Sequence, residues 1–246
     1  MNNLAIVSAL LATLAGVSVA HVYQTEVNAG ISVIDVDGGD QTTAIAAGGT
    51  YYLAPVDVKN YPLAEAAFMN RASNVNAAVG YGKNDDVKVT TLGAGIEYYV
   101  PNSDFYASAN AARNEVKFAG EKESDNLYSA EVGILPMPNL LVAVGVAGNS
   151  DNTDPTLRAK YVYKLGANDV NLEANASFGD LDQFGIGADY YIDRTLSVGA
   201  AYSDDGNDDS FGIRARKFIT QDVSIQGSVD FGNDVNVFGV AGTYRF

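Results

Sequence analysis

Six nine-residue stretches of this chain can be laid on one another: IAAGGTYYL (45–53), LGAGIEYYV (92–100), LRAKYVYKL (157–165), FGIGADYYI (184–192), FGIRARKFI (211–219) and FGVAGTYRF (238–246). Their odd positions are apolar or glycine, Lys217 being the one charged exception, whereas eight of the even positions are charged. Strict alternation over nine residues describes a strand with one apolar and one polar face. The last four copies begin at 157, 184, 211 and 238, a period of 27 residues. That length accommodates a strand, a turn, a returning strand and a loop. The returning partners read as 170–178, 196–203 and 223–231, with less regular strands at 22–34, 73–82, 105–118, 127–135 and 140–149, fourteen in all. The six prolines, at 55, 62, 101, 136, 138 and 155, are expected between strands, where no ladder hydrogen bond is lost.

Which face meets which solvent decides the class. A soluble barrel turns its apolar face inward, but barrels of about eight strands are already just filled by their side chains. Fourteen strands enclose more volume than Ala, Val and Gly can occupy. The inverted arrangement fits, with apolar residues toward lipid and Gly, Glu, Arg and Lys toward a hydrated lumen. The expected fold class is all-β, a transmembrane antiparallel β-barrel of about 14 strands of the outer-membrane type. An even strand number puts both ends of the barrel on the periplasmic side, so all six aligned copies descend. Tyr51, Tyr98, Tyr163, Tyr190 and Tyr244 then share one level and predict an interfacial aromatic girdle. Lys217, in the same ring, can snorkel to water. In FGIGADYYI the two glycines suggest a nucleotide-binding turn, but Tyr190 stands where the third glycine is needed and no helical pattern follows. Gly185 and Gly187 read instead as small lumen-facing residues.

Residues 1–20, MNNLAIVSALLATLAGVSVA, combine an apolar run with small residues, Ser18 and Ala20, at the cleavage positions. They read as a secretory signal peptide, although the stretch carries no Lys or Arg; residues 21–246 form one transmembrane barrel domain. The absence of cysteine removes disulfides and thiol chemistry, and a net charge of −15 disfavours nucleic acid as a partner. The longest uncharged run, 132–150, is broken by Pro136 and Pro138 and makes no membrane helix. His21 is the only histidine and no GxSxG occurs, so nucleophilic hydrolysis lacks its parts. The sequence therefore reads as neither enzyme nor cofactor or metal binder. DVDGGD (35–40) and DDGNDD (204–209) lack the twelve-residue calcium-loop pattern.

Charge is sorted by side. The seven far-end connections, at 35–40, 83–86, 119–126, 150–154, 179–182, 204–209 and 232–235, hold 17 of the 30 acidic and 2 of the 15 basic residues. They carry the whole net charge. A solvated, soluble rim explains this; a rim that repels anions, gathers cations and binds divalent ions shared with lipopolysaccharide is the sharper reading. On the opposite side, APVDVKNYPLAEAAFMNRA (54–72) is longer than its neighbouring turns, and LAEAAFM is too apolar to dangle in water. It predicts either a short helix folded into the lumen or a ragged start to the third strand.

Alternation assigns Arg158, Lys160, Lys164, Arg214 and Arg216 to one side of the lumen and Glu97, Glu131, Glu173 and Asp189 elsewhere. Such a set reads as charged rings that impose a field on passing solutes.

YPLAEAAFMNRASNVNAAVGY (61–81), LPMPNLLVAVGV (135–146) and the terminal FGVAGTYRF resemble the small Acinetobacter-type outer-membrane water-channel porins. The resemblance spans most of the chain after residue 20 and implies a fourteen-stranded barrel that passes water or small hydrophilic solutes. It also implies that Tyr244 and Phe246 form the signal read by the barrel-assembly machinery. The far-end loops are shorter than in that family, which argues against a constriction built from them. The function expected is passive diffusion by a monomer resident in outer-membrane lipid and lipopolysaccharide. The rival is a non-conducting structural or host-contact barrel.

Overall fold

The computed structural model describes residues 22–84, 87–180 and 182–246. The expected signal peptide and His21 lie outside the described residues, as do Asp85, Asp86 and Leu181 of two far-end connections. Fourteen strands run β1 (Tyr23–Val36), β2 (Thr42–Val56), β3 (Asn74–Lys83), β4 (Val87–Tyr99), β5 (Phe105–Phe118), β6 (Glu121–Met137), β7 (Leu140–Gly148), β8 (Thr153–Leu165), β9 (Asn168–Ser177), β10 (Gln183–Asp193), β11 (Leu196–Asp204), β12 (Asp209–Phe218), β13 (Val223–Gly232) and β14 (Val235–Arg245). Each pairs antiparallel with its sequence neighbours, and β1 pairs with β14 to close the barrel. Closure follows from the solvent: an open sheet edge in hydrocarbon would leave a row of backbone groups unsatisfied. The seam runs in continuous register from Glu26↔Arg245 to Val36↔Val235. Beyond it, the amides of Gln24 and Thr25 donate to the Phe246 carbonyl at 3.0 and 2.9 Å.

The alternation orients as the repeat demands. Phe184, Ile186 and Phe238 are 46, 48 and 48% exposed on the outer face, while their neighbours along the strands turn inward. Each YY doublet is split by the pleat. Tyr51, Tyr98 and Tyr190 face out, whereas Tyr52, Tyr99 and Tyr191 are buried inside.

Two expectations are corrected. Residues 119–126 are not a loop: β5 and β6 continue to a two-residue turn at Ala119 and Gly120, both at positive φ (51° and 88°). The hairpin protrudes past the apolar belt, where both faces are solvated and alternation no longer marks a strand. Pro55, Pro136 and Pro155 lie within β2, β6 and β8 rather than between strands. Pro136 occupies an irregularity between Ile134 and Met137, and Pro155, paired with Val146 of β7, precedes the first β8–β9 pair, Thr156↔Ser177, so only its β9 side lies ahead of the ladder.

Between β2 and β3 the chain folds back into the barrel. It carries the helix α1 (Ala66–Met69), and Val58, Leu63 and Ala66 bury completely or nearly so against Tyr23, Tyr52, Val56 and Phe218. Phe68 packs on a second cluster of Tyr99, Tyr106, Leu135, Leu141 and Ala143. A polar lumen offers apolar side chains no shelter, so these inward-facing rings and aliphatics make a small core inside the barrel. Burying one Leu or Val there contributes about 1.5–3 kcal/mol. This is the inward-folded alternative of the two readings of 54–72.

Candidate functional site

The barrel encloses a cavity of about 1080 Å³ whose floor is the inward segment, through Ala64, Glu65, Ala67, Phe68 and Ala72. Eight of the nine charged residues assigned to the lumen by alternation line it: Glu97, Glu131, Arg158, Lys160, Glu173, Asp189, Arg214 and Arg216. Lys164 is the exception. It lies near the end of β8, its side chain 64% exposed, and pairs with Asp169 at 2.7 Å.

The cations and carboxylates do not stand on opposed walls; they meet. Arg214 of β12 donates from Nε and Nη2 to the two oxygens of Asp189 of β10, both at 2.7 Å. The strand between, β11, presents Gly199, which is the cross-strand partner of both. A Cβ on Gly199 would stand 2.2 Å from Asp189 Oδ1, so the intervening residue must lack one. A related pair crosses β7: Arg158 of β8 reaches Glu131 of β6 at 2.8 Å, with Gly145 opposite Glu131 and Ala143 opposite Arg158. Asn76 and Asn110 converge over Gly95 of β4, whose added Cβ would stand 2.1 Å from Asn110 Oδ1. Gly199 and Gly95 are thus saddles over which polar pairs cross a strand.

The inward segment is tied into the same network. Glu65 sits between Lys160 Nζ at 2.9 Å and the Tyr191 hydroxyl, which donates at 2.6 Å. Lys160 also pairs with Glu173 at 2.7 Å and lies over the Phe68 ring. Arg194, in the β10–β11 turn, donates to the carbonyls of Lys59 and Tyr61, and the Leu63 amide donates to the Arg194 carbonyl at 2.8 Å. Arg71 clamps the other end to Asp104 at 2.9 Å. Lys59 and Arg71 hold left-handed backbone, φ 41° and 51°, a conformation that persists where neighbours over-determine it. Glu65 escaped the sequence reading because its partners, Lys160 and Tyr191, come from strands more than 90 residues away.

Of the girdle residues, Tyr51, Tyr98, Tyr190 and Tyr244 are 41–51% exposed on the outer face, and Tyr163 stacks on Tyr161 at 5.1 Å. Lys217 turns outward too, donating to Thr195 Oγ1 at 2.6 Å. Phe246, 61% exposed, lies 5.7 Å from the Tyr244 ring. At the acidic rim Asp204 and Asp205 accept amides of their own loop, from Gly206 at 2.8 Å and Asp208 at 2.9 Å. Among the described residues no group of three or more His, Cys, Asp or Glu is placed to hold a metal ion.

A family model described as general bacterial porin matches residues 1–158. No curated protein matches the chain. Among solved structures, the Acinetobacter baumannii outer membrane protein Omp33 is similar at 29% identity and a TM-score of 0.75, over 92% of this chain and 100% of that one. The Pseudomonas putida toluene transporter TodX shares the fold at 10% identity and a TM-score of 0.57, over 91% and 90% of the two chains.

Proposed function

Because the chain belongs to the general bacterial porins, and is an outer-membrane channel rather than an enzyme, we propose that it passes water and small hydrophilic solutes down their gradients through the barrel, with residues 57–73 setting the bore at the periplasmic end. The observation that carries this reading is the cavity of about 1080 Å³, lined by charged and amide side chains and floored by that segment. A barrel that served only as scaffold would have no use for an open, amide- and charge-lined interior. Residues 1–20 act as the export signal in this reading, and residues 21–246 are the single barrel domain. The outward Tyr51, Tyr98, Tyr163, Tyr190 and Tyr244 sit at the lipid interface, and the closing strand with Tyr244 and Phe246 is the part offered to the barrel-assembly machinery. The acidic rim gathers cations and, through divalent ions, lipopolysaccharide.

Swelling of proteoliposomes in sugars of graded size tests it. The native protein is expected to admit small solutes slowly, and a variant lacking residues 58–68 to admit them faster and up to a larger size. Equal rates in the two would remove the segment's role. No swelling in either would favour the non-conducting structural or host-contact barrel.

A further inference from the structure

The pairing of wall charges has a bearing on what the lumen admits. Six carboxylates line the cavity: Glu26, Glu65, Glu97, Glu131, Glu173 and Asp189. Against them stand Arg158, Lys160, Arg214 and Arg216, and Arg245, which contacts Glu26 at 2.7 Å. These cavity-lining groups with Arg245 are therefore within one charge of balance, and most of that balance is reached locally. Arg158 meets Glu131, Lys160 meets both Glu65 and Glu173, and Arg214 meets Asp189 with two parallel hydrogen bonds. Glu97, without a cation in contact, accepts from the Tyr106 hydroxyl at 2.6 Å and the Asn74 amide at 3.0 Å.

An ion entering a narrow pore sheds part of its hydration shell, and a conducting wall offsets that loss with unpaired charge of the opposite sign. Opposite charges at contact distance cancel each other's field within a few ångströms. A wall whose charges are mostly closed in pairs therefore offers an ion little compensation. An uncharged solute with several hydroxyls loses less on entry and meets the amides of Asn28, Asn76, Asn110 and Asn175, all on the cavity surface.

Resting on the channel reading above, we infer that the lumen selects uncharged polyhydroxylated solutes over ions of either sign, and that Asp189 is a specificity-determining residue because it cancels Arg214. Gly199 is the positioning residue that lets the two meet.

The test uses proteoliposomes of neutral phospholipid with three linear polyol solutes of matched size: sorbitol, gluconate and N-methylglucamine. Native protein and the 58–68 deletion are run in parallel. Sorbitol is expected to enter at least about fivefold faster than either ion in whichever of the two conducts. Asp189→Asn removes the ion-pair partner of Arg214 and should raise gluconate entry at least about threefold while sorbitol changes by less than about twofold. The double variant Asp189→Asn/Arg214→Gln restores neutrality and should return gluconate to the native rate, which a merely structural role of Asp189 would not do. Equal entry of the three solutes in the native protein overturns the inference. So does an Asp189→Asn effect that is the same for sorbitol and gluconate. If no solute enters in either the native or the deleted protein, the channel reading itself falls, and this inference with it.

Discussion

Arg214 and Asp189 lie on strands that do not touch, yet their side chains close a two-pronged ion pair at 2.7 Å over the bare backbone of Gly199. The missing Cβ is what makes the contact possible. Gly199→Ala would place a carbon 2.2 Å from Asp189 Oδ1 and 2.8 Å from the Ala188 carbonyl. Something must shift, and the pair is the softer part. The variant is expected to lose about 1–3 kcal/mol in urea unfolding. Gly187→Ala, whose Cβ would find its nearest neighbour at an ordinary 3.6 Å, should unfold at nearly the native midpoint.

The inward segment is held by a small apolar core and one acidic latch. Leu63→Ala should cost about 2–5 kcal/mol of local stability. Because the barrel wall is separately hydrogen-bonded, the loss should appear as faster proteolysis within 57–73 and faster solute entry, with the strands still folded. Glu65→Gln removes one arm of Lys160 and leaves the other, Glu173, in place. Its effect on entry should therefore be smaller than that of Leu63→Ala.

The seam has its own pin. Arg245 and Glu26 are paired cross-strand neighbours, essentially inaccessible, with the guanidinium 4.9 Å from the Phe218 ring centre and 5.2 Å from that of Tyr23. Arg245→Ala strands a buried carboxylate, a loss of about 3–5 kcal/mol. The expected readout is a lower temperature at which the compact barrel band on a semi-native gel converts to the unfolded band. Arg245→Ala/Glu26→Gln should recover part of that temperature.

At the rim, Asp204, Asp205, Asp208 and Asp209 crowd one loop of six residues. Replacing all four by Asn should reduce any cation preference in the zero-current potential across a salt gradient. The change should be visible at low ionic strength and fade toward 1 M salt, where screening is effective within about 3 Å.

The strand count and facing were legible in the chain because period-two alternation is a local signal that repeats every 27 residues. Phe211 and Arg214 declare their faces without help from any neighbour. The pairing of Arg214 with Asp189 was not legible, since it depends on register across three strands and on which glycine intervenes. The same holds for the YY doublets. Alternation sends Tyr190 outward, but only the folded-in segment gives Tyr191 a partner, Glu65, 126 residues away. The hairpin at 119–126 was missed for the opposite reason: beyond the membrane both faces are wet, and the pattern that marks a strand disappears while the strand continues.

The inward segment hangs from a single connection, between β2 and β3, and none of its residues belongs to a strand ladder. Lengthening, shortening or exchanging that one turn can therefore recalibrate throughput while every staves-and-hoops relationship of the wall stays as it is. If the segment sets the bore as proposed, throughput and architecture are separately editable in this molecule.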